Sequence, residues 1–452
     1  MPPFQRTRTG CFTCREDGYK CDEKKPICGR CTRLRKTCKG YGVRLKWQAP
    51  EQPEIRAPRT KRQKSSPRTG YSPPTSSSSI ASQSPSSMVL SPAAVTSEHG
   101  TSMELYLLHH WSTTLVTVVS MAAASHNPFL LHLSPMMAYS TALRAAICSM
   151  AASHLAALKD EASLRTLAAR YQLQAVSALR HTIQTEDAQL SLATILMLQV
   201  SDRMFTTDSR VDHLAGASAV IKRGGLDART SSSASFLLSL CKYYDILASV
   251  TRGASPVLDL DDQFLPVEGT VSMQGLSAVM GIVSQISRMH GQRSQSYDVK
   301  GRAIQQALEL LDSTNYERDV GNTIEACKHA AYIYLYRVWQ HPGASLASPT
   351  QHAKDCLAHL RLVPVCSPLA SAHVWPLWTA GCESINQDER DFVLSRIASM
   401  YDARHLPSLR RMKQDVEHVW SAKDERRIEI GVDNVDCMRH IRENKHREVD
   451  LV

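Results

Sequence analysis

The sequence predicts a mostly α-helical protein made of a small cysteine-rich domain, a disordered linker and a large all-α domain. Six cysteines crowd into the first 38 residues of the 452-residue chain. The next stretch is rich in proline and serine and has almost no apolar periodicity, as is typical of disordered segments. Beyond it, apolar residues recur at helical spacing and strand signals are sparse. The predicted boundaries are 1–47, 48–96, 97–423 and, for a charged and frayed C-terminal tail, 424–452.

The cysteines of the first domain form an internal repeat. They are Cys11, Cys14, Cys21, Cys28, Cys31 and Cys38, so the spacing is C-x2-C-x6-C-x6-C-x2-C-x6-C. Structural zinc sites prefer four tetrahedral ligands, so two Zn²⁺ ions need eight ligand positions. Six thiolates fill eight positions only if two of them bridge both ions. The repeat makes the leading cysteine of each half, Cys11 and Cys28, the natural bridge.

Two other uses of six cysteines stay open. A disulfide framework is typical of secreted domains, but the start of the sequence has no apolar stretch that would serve as an export signal. A single four-cysteine zinc site would leave two thiols unused and the repeat unexplained. The segment has few apolar residues to bury, so we expect zinc binding and folding to be one event.

The residues around these cysteines resemble a known family. Three segments, Cys11–Arg15, Lys20–Cys31 and Cys38–Trp47, are similar to the binuclear zinc-cluster (Zn2Cys6) DNA-binding domain of fungal transcription factors. Shorter segments resemble the helical, fungal-specific regulatory domain found in one branch of that family. These segments are His213–Ala217, Ile221–Gly225, Tyr243–Gly253, Trp375–Trp378, Ala380–Cys382 and Asp388–Arg390.

The resemblance implies a fold, a partner and a function. It implies bridging by Cys11 and Cys28, a short helix after each C-x2-C pair and a loop at Pro26 that joins the halves. The first helix would enter the major groove of double-stranded DNA, usually over a CGG triplet. The resemblance also implies a nuclear regulator of RNA polymerase II genes that acts with the transcription machinery or co-regulators. Its targets would belong to a metabolic pathway or a secondary-metabolite gene cluster.

The positions that would read DNA depart from the family pattern. Family members usually carry a basic pair between Arg15 and Lys20. In this chain those two positions are Asp17 and Gly18, and Tyr19 follows them. Phosphates would repel an aspartate, although a carboxylate can accept a hydrogen bond from cytosine N4 in the major groove. Arg15 and Lys20 match the family and are expected to contact phosphates, whereas Tyr19 would touch a base edge or pack.

These departures leave two functions open. The first is a zinc-dependent, sequence-specific DNA-binding regulator. The alternative is a zinc-cluster protein that has lost specific DNA reading through Asp17 and Gly18 and acts through a partner transcription factor. The sequence contains no Gly-rich phosphate loop, nucleophile elbow or His-Glu-x-x-His motif, so we do not expect an enzyme.

Basic charge is concentrated at the N-terminal end of the chain. Residues 1–70 contain 19 of the 53 Lys and Arg residues but only 6 of the 43 Asp and Glu residues. The whole chain has a formal net charge of +10, so the remainder is slightly acidic. Such a concentration on a small module is the electrostatic footprint of nucleic-acid binding and predicts that affinity falls with salt.

The linker suggests two further properties. It contains a basic run that resembles a nuclear-import signal, with Arg59, Lys61, Arg62 and Lys64 as its expected residues. Its eight prolines leave no heptad repeat for a coiled coil. The chain would therefore bind DNA as a monomer or form a homodimer through its helical domain.

Residues 97–423 are expected to form an irregular assembly of about a dozen helices. The clearest are Ala142–Leu158, Ala162–Ile183 and the nearly continuous apolar stretch Leu190–Val200, which predicts a buried central helix. No stretch is expected to span a membrane. Helix ends are expected at the breakers Gly224-Gly225, Gly253, Pro342-Gly343, Pro364 and Pro407.

The seven cysteines beyond residue 100 have no paired spacing, and we expect them to be buried small hydrophobes in a reducing compartment. Two pairs have spacings at which both side chains could reach one metal ion: His352 with Cys356, and Cys437 with His440. Each pair lacks a second pair of ligands in the sequence pattern. We therefore expect no metal site at either.

Overall fold

The computed structural model describes residues 10–24, 27–39, 97–122, 127–206, 213–258, 271–290, 297–339, 347–430, 435–445, 448–449 and 451. The predicted linker (48–96), with its basic run, lies outside these residues, as do Pro26 and Pro342–Gly343. Over the described ranges the chain is largely helical and has no β-strand, which confirms the predicted mostly α fold.

The cysteine-rich domain has two short helices, α1 (Phe12–Glu16) and α2 (Gly29–Arg33). The described part of the helical domain contains sixteen α-helices, α3 to α18, against the dozen expected. They are α3 (Ser97–His110), α4 (Val116–Val119), α5 (Pro128–Met136), α6 (Thr141–Lys159), α7 (Ala162–Thr182), α8 (Ala188–Phe205), α9 (Leu214–Gly224), α10 (Ser232–Arg252), α11 (Val271–Ser287), α12 (Tyr297–Glu309), α13 (Arg318–Trp339), α14 (Ala347–Leu362), α15 (Val374–Glu383), α16 (Gln387–Arg404), α17 (Pro407–Ile430) and α18 (Cys437–Lys445). A π-helical turn, Trp111–Leu115, joins α3 to α4, and a 3-10 helix, Pro368–His373, precedes α15.

The core of the helical domain contains α8 at its centre. Every residue from Ser191 to Met204 is buried, so this helix contacts neighbours on all its faces. Helix α6 packs along α7 and also against α8. The three helices that the sequence predicts most clearly are therefore present as α6, α7 and α8, and the predicted central buried helix is confirmed.

Helix α6 has the length and composition of a possible membrane-spanning helix. These properties are contrary to the prediction that no stretch would have them. However, 72% of its apolar window is buried inside the protein. A core helix of this length passes the same test, and the apolar surface of α6 is used against α7 and α8.

Two of the predicted helix ends are formed by glycines. Helix α9 ends at Gly225 and α10 at Gly253, whose φ angles are 56° and 61°. After α10 the Ala254 N–H donates to the Ser249 carbonyl at 3.2 Å, which satisfies a carbonyl of the last turn. Pro407 behaves differently from the prediction: it starts α17, a position where its missing N–H costs no helical hydrogen bond.

Buried arginines donate hydrogen bonds to carbonyls at the C-terminal ends of helices that are distant in sequence. Carbonyls in the last turn of a helix have no donor within that helix. Arg404 Nη1 donates to the Val118 carbonyl at the end of α4 at 2.8 Å. Arg411 Nη2 donates to the Arg203 carbonyl at the end of α8 at 2.9 Å. Burial, with Arg396 nearby, lowers the pKa of Arg404 to about 10, so it stays charged at neutral pH.

A buried ion triad joins α13, α15 and α17. Arg337 Nε donates to Glu383 Oε1 at 2.9 Å, and Lys423 Nζ donates to Glu383 Oε2 at 2.7 Å. Burial alone would raise the pKa of Glu383, but the charges of Lys423 and Arg337 and their hydrogen bonds hold it at about 2. This carboxylate is therefore ionised inside the core and holds three helices together.

The C-terminal segment differs from the predicted frayed tail. The boundary expected at residue 423 falls inside α17, which continues to Ile430. Cys437 and Ile441 of α18 are buried, and Arg203 of α8 pairs with Glu448 at 2.8 Å. The charge density of this segment led to the wrong expectation, since its apolar residues recur on one face of α18 and its charges find partners in the domain.

The cysteines of the helical domain are free thiols: Cys148, Cys241, Cys327, Cys356, Cys366, Cys382 and Cys437. Six of them are buried, as expected. The expectation is wrong for Cys366, which is exposed in the turn after α14.

Candidate metal centre and nucleic-acid interface

Each short helix of the cysteine-rich domain starts on a cysteine cap. Cys11 precedes α1, and its Sγ accepts a hydrogen bond from the Cys14 N–H at 3.4 Å. Cys28 precedes α2, and its Sγ accepts from the Cys31 N–H at 3.2 Å. The sequence repeat is thus a structural repeat. Each helix contains the second cysteine of its C-x2-C pair, whereas the predicted helices follow the pairs. The backbone N–H groups at the start of a helix carry partial positive charge, which favours thiolates there.

The sulfur atoms converge into two groups of four. One group is Cys11, Cys14, Cys21 and Cys28, and the other is Cys11, Cys28, Cys31 and Cys38. Within each group all ligand atoms lie within 4.8 Å of one another. Cys11 and Cys28 belong to both groups, as bridging ligands would, and their sulfurs are 3.6 Å apart.

These sulfur positions fit tetrahedral zinc. A Zn–S distance of about 2.3 Å places the sulfurs of one tetrahedral ion roughly 3.8 Å apart. The Cys14–Cys28 and Cys11–Cys31 sulfur distances are 3.6 and 3.9 Å. A disulfide would require about 2.05 Å, and all six cysteines are free. The donor set and its spacing therefore suit two ions that share two thiolates.

The C-terminal ends of α1 and α2 turn in the same way. After α1, the Tyr19 N–H donates to the Cys14 carbonyl at 2.9 Å, and Gly18 has φ 76°. After α2, the Lys36 N–H donates to the Cys31 carbonyl at 3.0 Å, and Arg35 has φ 50°. Gly18 thus supplies the left-handed residue that ends α1, a conformation in which a side chain costs energy.

Asp17 has partners inside the cysteine-rich domain. Its Oδ2 accepts from Lys36 Nζ at 2.8 Å and from Arg30 Nη1 at 3.2 Å. The hydrogen bonds from Lys36 and Arg30, together with their charges, lower the pKa of Asp17 below its ordinary value. Arg30 Nη1 also lies 3.7 Å from Cys14 Sγ. Asp17 therefore links the two halves of the domain and partly neutralises two basic residues, a role that the sequence does not reveal.

The other predicted DNA-contacting residues are at the surface. Arg15 and Lys20 are exposed. Tyr19 is 65% exposed and packs one ring face against the Arg30 guanidinium, 4.3 Å from the ring centroid. On the second half, Arg33 is exposed and was not among the predicted contacts. The repeat aligns Arg33 with Glu16, so none of the predicted contacts on the first half pointed to it.

The helical domain contains a cavity, and none of its wall residues was predicted. It has a volume of about 100 Å³ and is partly open to solvent. Phe129, Phe236, Tyr243 and Met280 contribute to its mostly apolar wall, and Arg404 lies at its polar side. Such a lining suits an apolar small molecule. The guanidinium of Arg404 already donates to two backbone carbonyls and a serine hydroxyl, so the fold itself uses this charge.

Two family models match the chain. The fungal Zn(2)-Cys(6) binuclear cluster domain matches residues 9–48, and the fungal specific transcription factor domain matches residues 106–447. The chain belongs to the fungal zinc-cluster transcription factors. This family membership confirms the resemblance noted from the cysteine spacing.

Curated relatives of this transcription factor share a short segment with it. White-opaque regulator 2 of Candida albicans is 60% identical over 37 residues, which is 8% of each chain. Transcriptional regulatory protein moc3 of Schizosaccharomyces pombe is 52% identical over 40 residues, 9% of this chain and 8% of the relative. Arginine metabolism regulation protein II of Saccharomyces cerevisiae is 45% identical over 47 residues, 10% of this chain and 5% of the relative. The matches thus span under a tenth of each of these relatives, and no solved structure matches the chain.

Proposed function

We propose that this chain is a nuclear transcription regulator that binds double-stranded DNA through a two-zinc cluster. The ligands would be Cys11, Cys14, Cys21, Cys28, Cys31 and Cys38. The observation that supports this proposal most directly is the pair of four-sulfur groups that share Cys11 and Cys28. Basic charge concentrated in residues 1–70 and the family membership support DNA as the partner.

In this proposal zinc supplies fixed cross-links in a domain with little apolar core. The cysteine-capped helices then have fixed positions, and the end of α1 carries the surface that meets DNA. Arg15, Lys20 and Arg33 would contact phosphates, which position the domain but do not read sequence. Tyr19 would reach a base edge beside the turn at Gly18.

The proposal also covers nuclear import, the partners of the helical domain and the genes that are regulated. The basic run at Arg59, Lys61, Arg62 and Lys64 would direct the chain to the nucleus. The helical domain would control activity through the transcription machinery or co-regulators, and it would hold any homodimer together. The regulated genes would serve a metabolic pathway or a secondary-metabolite gene cluster.

A second candidate function is favoured by the end of α1. Asp17 is engaged by Arg30 and Lys36, and Gly18 has no side chain, so the usual basic reading pair is missing. The chain would then contact DNA only through phosphates and obtain its specificity from a partner transcription factor. The two candidates differ in whether the chain alone prefers one duplex sequence over another.

Equilibrium binding of the zinc-loaded full chain to duplex DNA, measured by fluorescence anisotropy across a salt series, tests DNA binding itself. The logarithm of the association constant should fall linearly with the logarithm of salt concentration, by about 0.9 per phosphate contacted. Removal of zinc by a chelator should lower the affinity to the non-specific level because the domain then loses its fold. Binding that is unaffected by both salt and chelator would contradict the proposal.

Replacing Asp17 with asparagine should strengthen phosphate contact. The substitution Asp17→Asn removes the carboxylate charge that holds Lys36 and Arg30, and both cations become available to DNA. The salt slope should steepen by about 1 to 2 units, since each new phosphate contact adds about 0.9. The same salt series measures this change.

Asp227→Asn is the matched control for this prediction. It changes the net charge by the same amount and breaks the exposed Arg229–Asp227 pair at 2.9 Å in the helical domain. Its salt slope should equal that of the wild type. Equal slopes for the two variants would contradict the prediction for Asp17.

A further inference from the structure

Five histidine and carboxylate residues meet between α13 and α14. Glu325 and His329 lie on α13, and His352, Asp355 and His359 lie on α14. The ligand atoms of Glu325, His329 and His359 are within 4.8 Å of one another, as are those of His329, His352 and Asp355. All five residues are half-buried. This cluster shares no residue with the cysteine-rich domain.

His352 and Cys356 have different partners in the structure. Cys356, four residues later, is buried, and its Sγ donates to the Ala326 carbonyl at 3.3 Å. His352 instead contacts His329 of the facing helix, with the two Nδ1 atoms 2.9 Å apart. Its ring also stacks on Tyr332, with centroids 4.4 Å apart. The cluster therefore depends on packing between two helices.

The hydrogen bonds of His359 leave one ring nitrogen free to act as a ligand. His359 Nδ1 is 2.9 Å from Asn322 Oδ1, a carbonyl oxygen that can only accept. Asn322 Nδ2 donates to the Arg318 carbonyl at 2.8 Å, which fixes the orientation of the amide. Nδ1 of His359 therefore carries a proton, and Nε2 is the ring nitrogen that can act as a ligand.

The side chains of His329 and Glu325 are also positioned by hydrogen bonds to neighbouring residues. His329 Nδ1 lies 2.9 Å from His352 Nδ1, within hydrogen-bond distance. With the proton on Nδ1, His329 donates to His352 and keeps a lone pair on Nε2. Glu325 Oε1 accepts a hydrogen bond from Ser313 Oγ at 2.6 Å. The same oxygen lies 3.6 Å from Lys328 Nζ and forms an ion pair with it. Ligand histidines in proteins are held in this way, with the second ring nitrogen bonded to a neighbour.

We propose that Glu325, His329 and His359 bind one divalent transition-metal ion, with Zn²⁺ as the preferred occupant. Two imidazoles and a carboxylate are ligands that zinc accepts, and three protein ligands leave a position for water. Asn322 and His352 are positioning residues that hold the two ligand rings. Because the ligands come from both helices, the ion would cross-link α13 to α14 and raise the stability of the helical domain.

Titration of Co²⁺ into the full chain loaded with two Zn²⁺ ions, enough for the cysteine cluster alone, tests this site. Cobalt bound by nitrogen and oxygen gives visible absorption without the thiolate-to-metal charge-transfer band that a cysteine site would show. We expect one equivalent to bind with that signature, and added Zn²⁺ to displace it. His329→Ala and His359→Ala should each weaken binding at least tenfold, and Asn322→Ala by roughly 10- to 100-fold, as for other residues that orient metal ligands.

Two further variants make the test decisive. Glu325→Gln keeps the shape of the ligand side chain and should also lose cobalt binding, even if an alanine variant fails to fold. His181→Ala changes an exposed histidine of α7 and should bind cobalt like the wild type. Absence of the nitrogen–oxygen signature in the wild type, or unchanged binding in both His359→Ala and Glu325→Gln, would overturn the proposal. Neither result would bear on the cysteine cluster.

Discussion

Replacing Cys28 with serine should cost the chain two zinc ions, whereas replacing Cys38 should cost it one. Cys28 lies in both four-sulfur groups, so its loss leaves neither ion with a full set of thiolates. Cys38 lies in one group only. Zinc per chain, measured by mass spectrometry of the metal and compared with the wild type, distinguishes the two variants.

DNA binding should follow the metal content of these variants. Cys28→Ser should lower the affinity for the preferred duplex to the non-specific level, a loss of roughly 1,000-fold or more. Folding of this small domain depends on its metal, because the domain has too little apolar core to fold without zinc. Cys366→Ser is the matched control, because Cys366 is an exposed free thiol of the helical domain. If Cys28→Ser and Cys38→Ser each lost one ion, Cys28 would not be a bridging ligand.

Replacing Glu383 with glutamine should destabilise the helical domain by about 3 to 5 kcal/mol, the usual cost of removing one partner from a buried ion pair. The neutral amide would remove the carboxylate charge that Lys423 contacts, and the Lys423 side chain is only 4% exposed. Denaturant unfolding followed by helical circular dichroism measures the loss. Glu417→Gln removes an exposed pair with Lys413 at 3.9 Å and should cost at most about 1 kcal/mol.

The same residue predicts a pH dependence. The pKa of Glu383 is about 2 in the folded chain, below its ordinary value of 4.5. A lowered carboxylate pKa contributes stability that is fully present above pH 4.5 and is lost as the pH falls towards 2. Glu383→Gln should lack this part of the acid sensitivity. Parallel stability curves for the wild type and Glu383→Gln between these pH values would contradict the ion triad.

Local patterns allowed the cysteine cluster and the clearest helices to be predicted. The cysteine ligands lie within 38 residues, and their spacing carries the geometry because each C-x2-C pair straddles the start of a short helix. Helix α8 was predictable because a stretch that is apolar on every side must be buried. The left-handed ends at Gly225 and Gly253 follow from residue type alone.

What could not be predicted depends on contacts between distant residues. The Glu383–Lys423 pair joins residues 40 apart in sequence, and no local signal links them. His329 meets His352 only because α13 packs along α14. Asp17 was interpreted through its charge alone, as a residue facing DNA. The structure pairs it with Arg30 and Lys36, which the repeat brings to the end of α1.

The central claim is that this chain reads DNA sequence through its zinc cluster. Selection from a random duplex library with the zinc-loaded full chain, at near-physiological salt, tests it most directly. We predict enrichment of one motif by the wild type and a changed preference when Tyr19 is replaced with alanine. Recovery of no motif, with binding that disappears as salt rises, would contradict the claim and leave phosphate contact alone. Specificity would then have to come from a partner transcription factor.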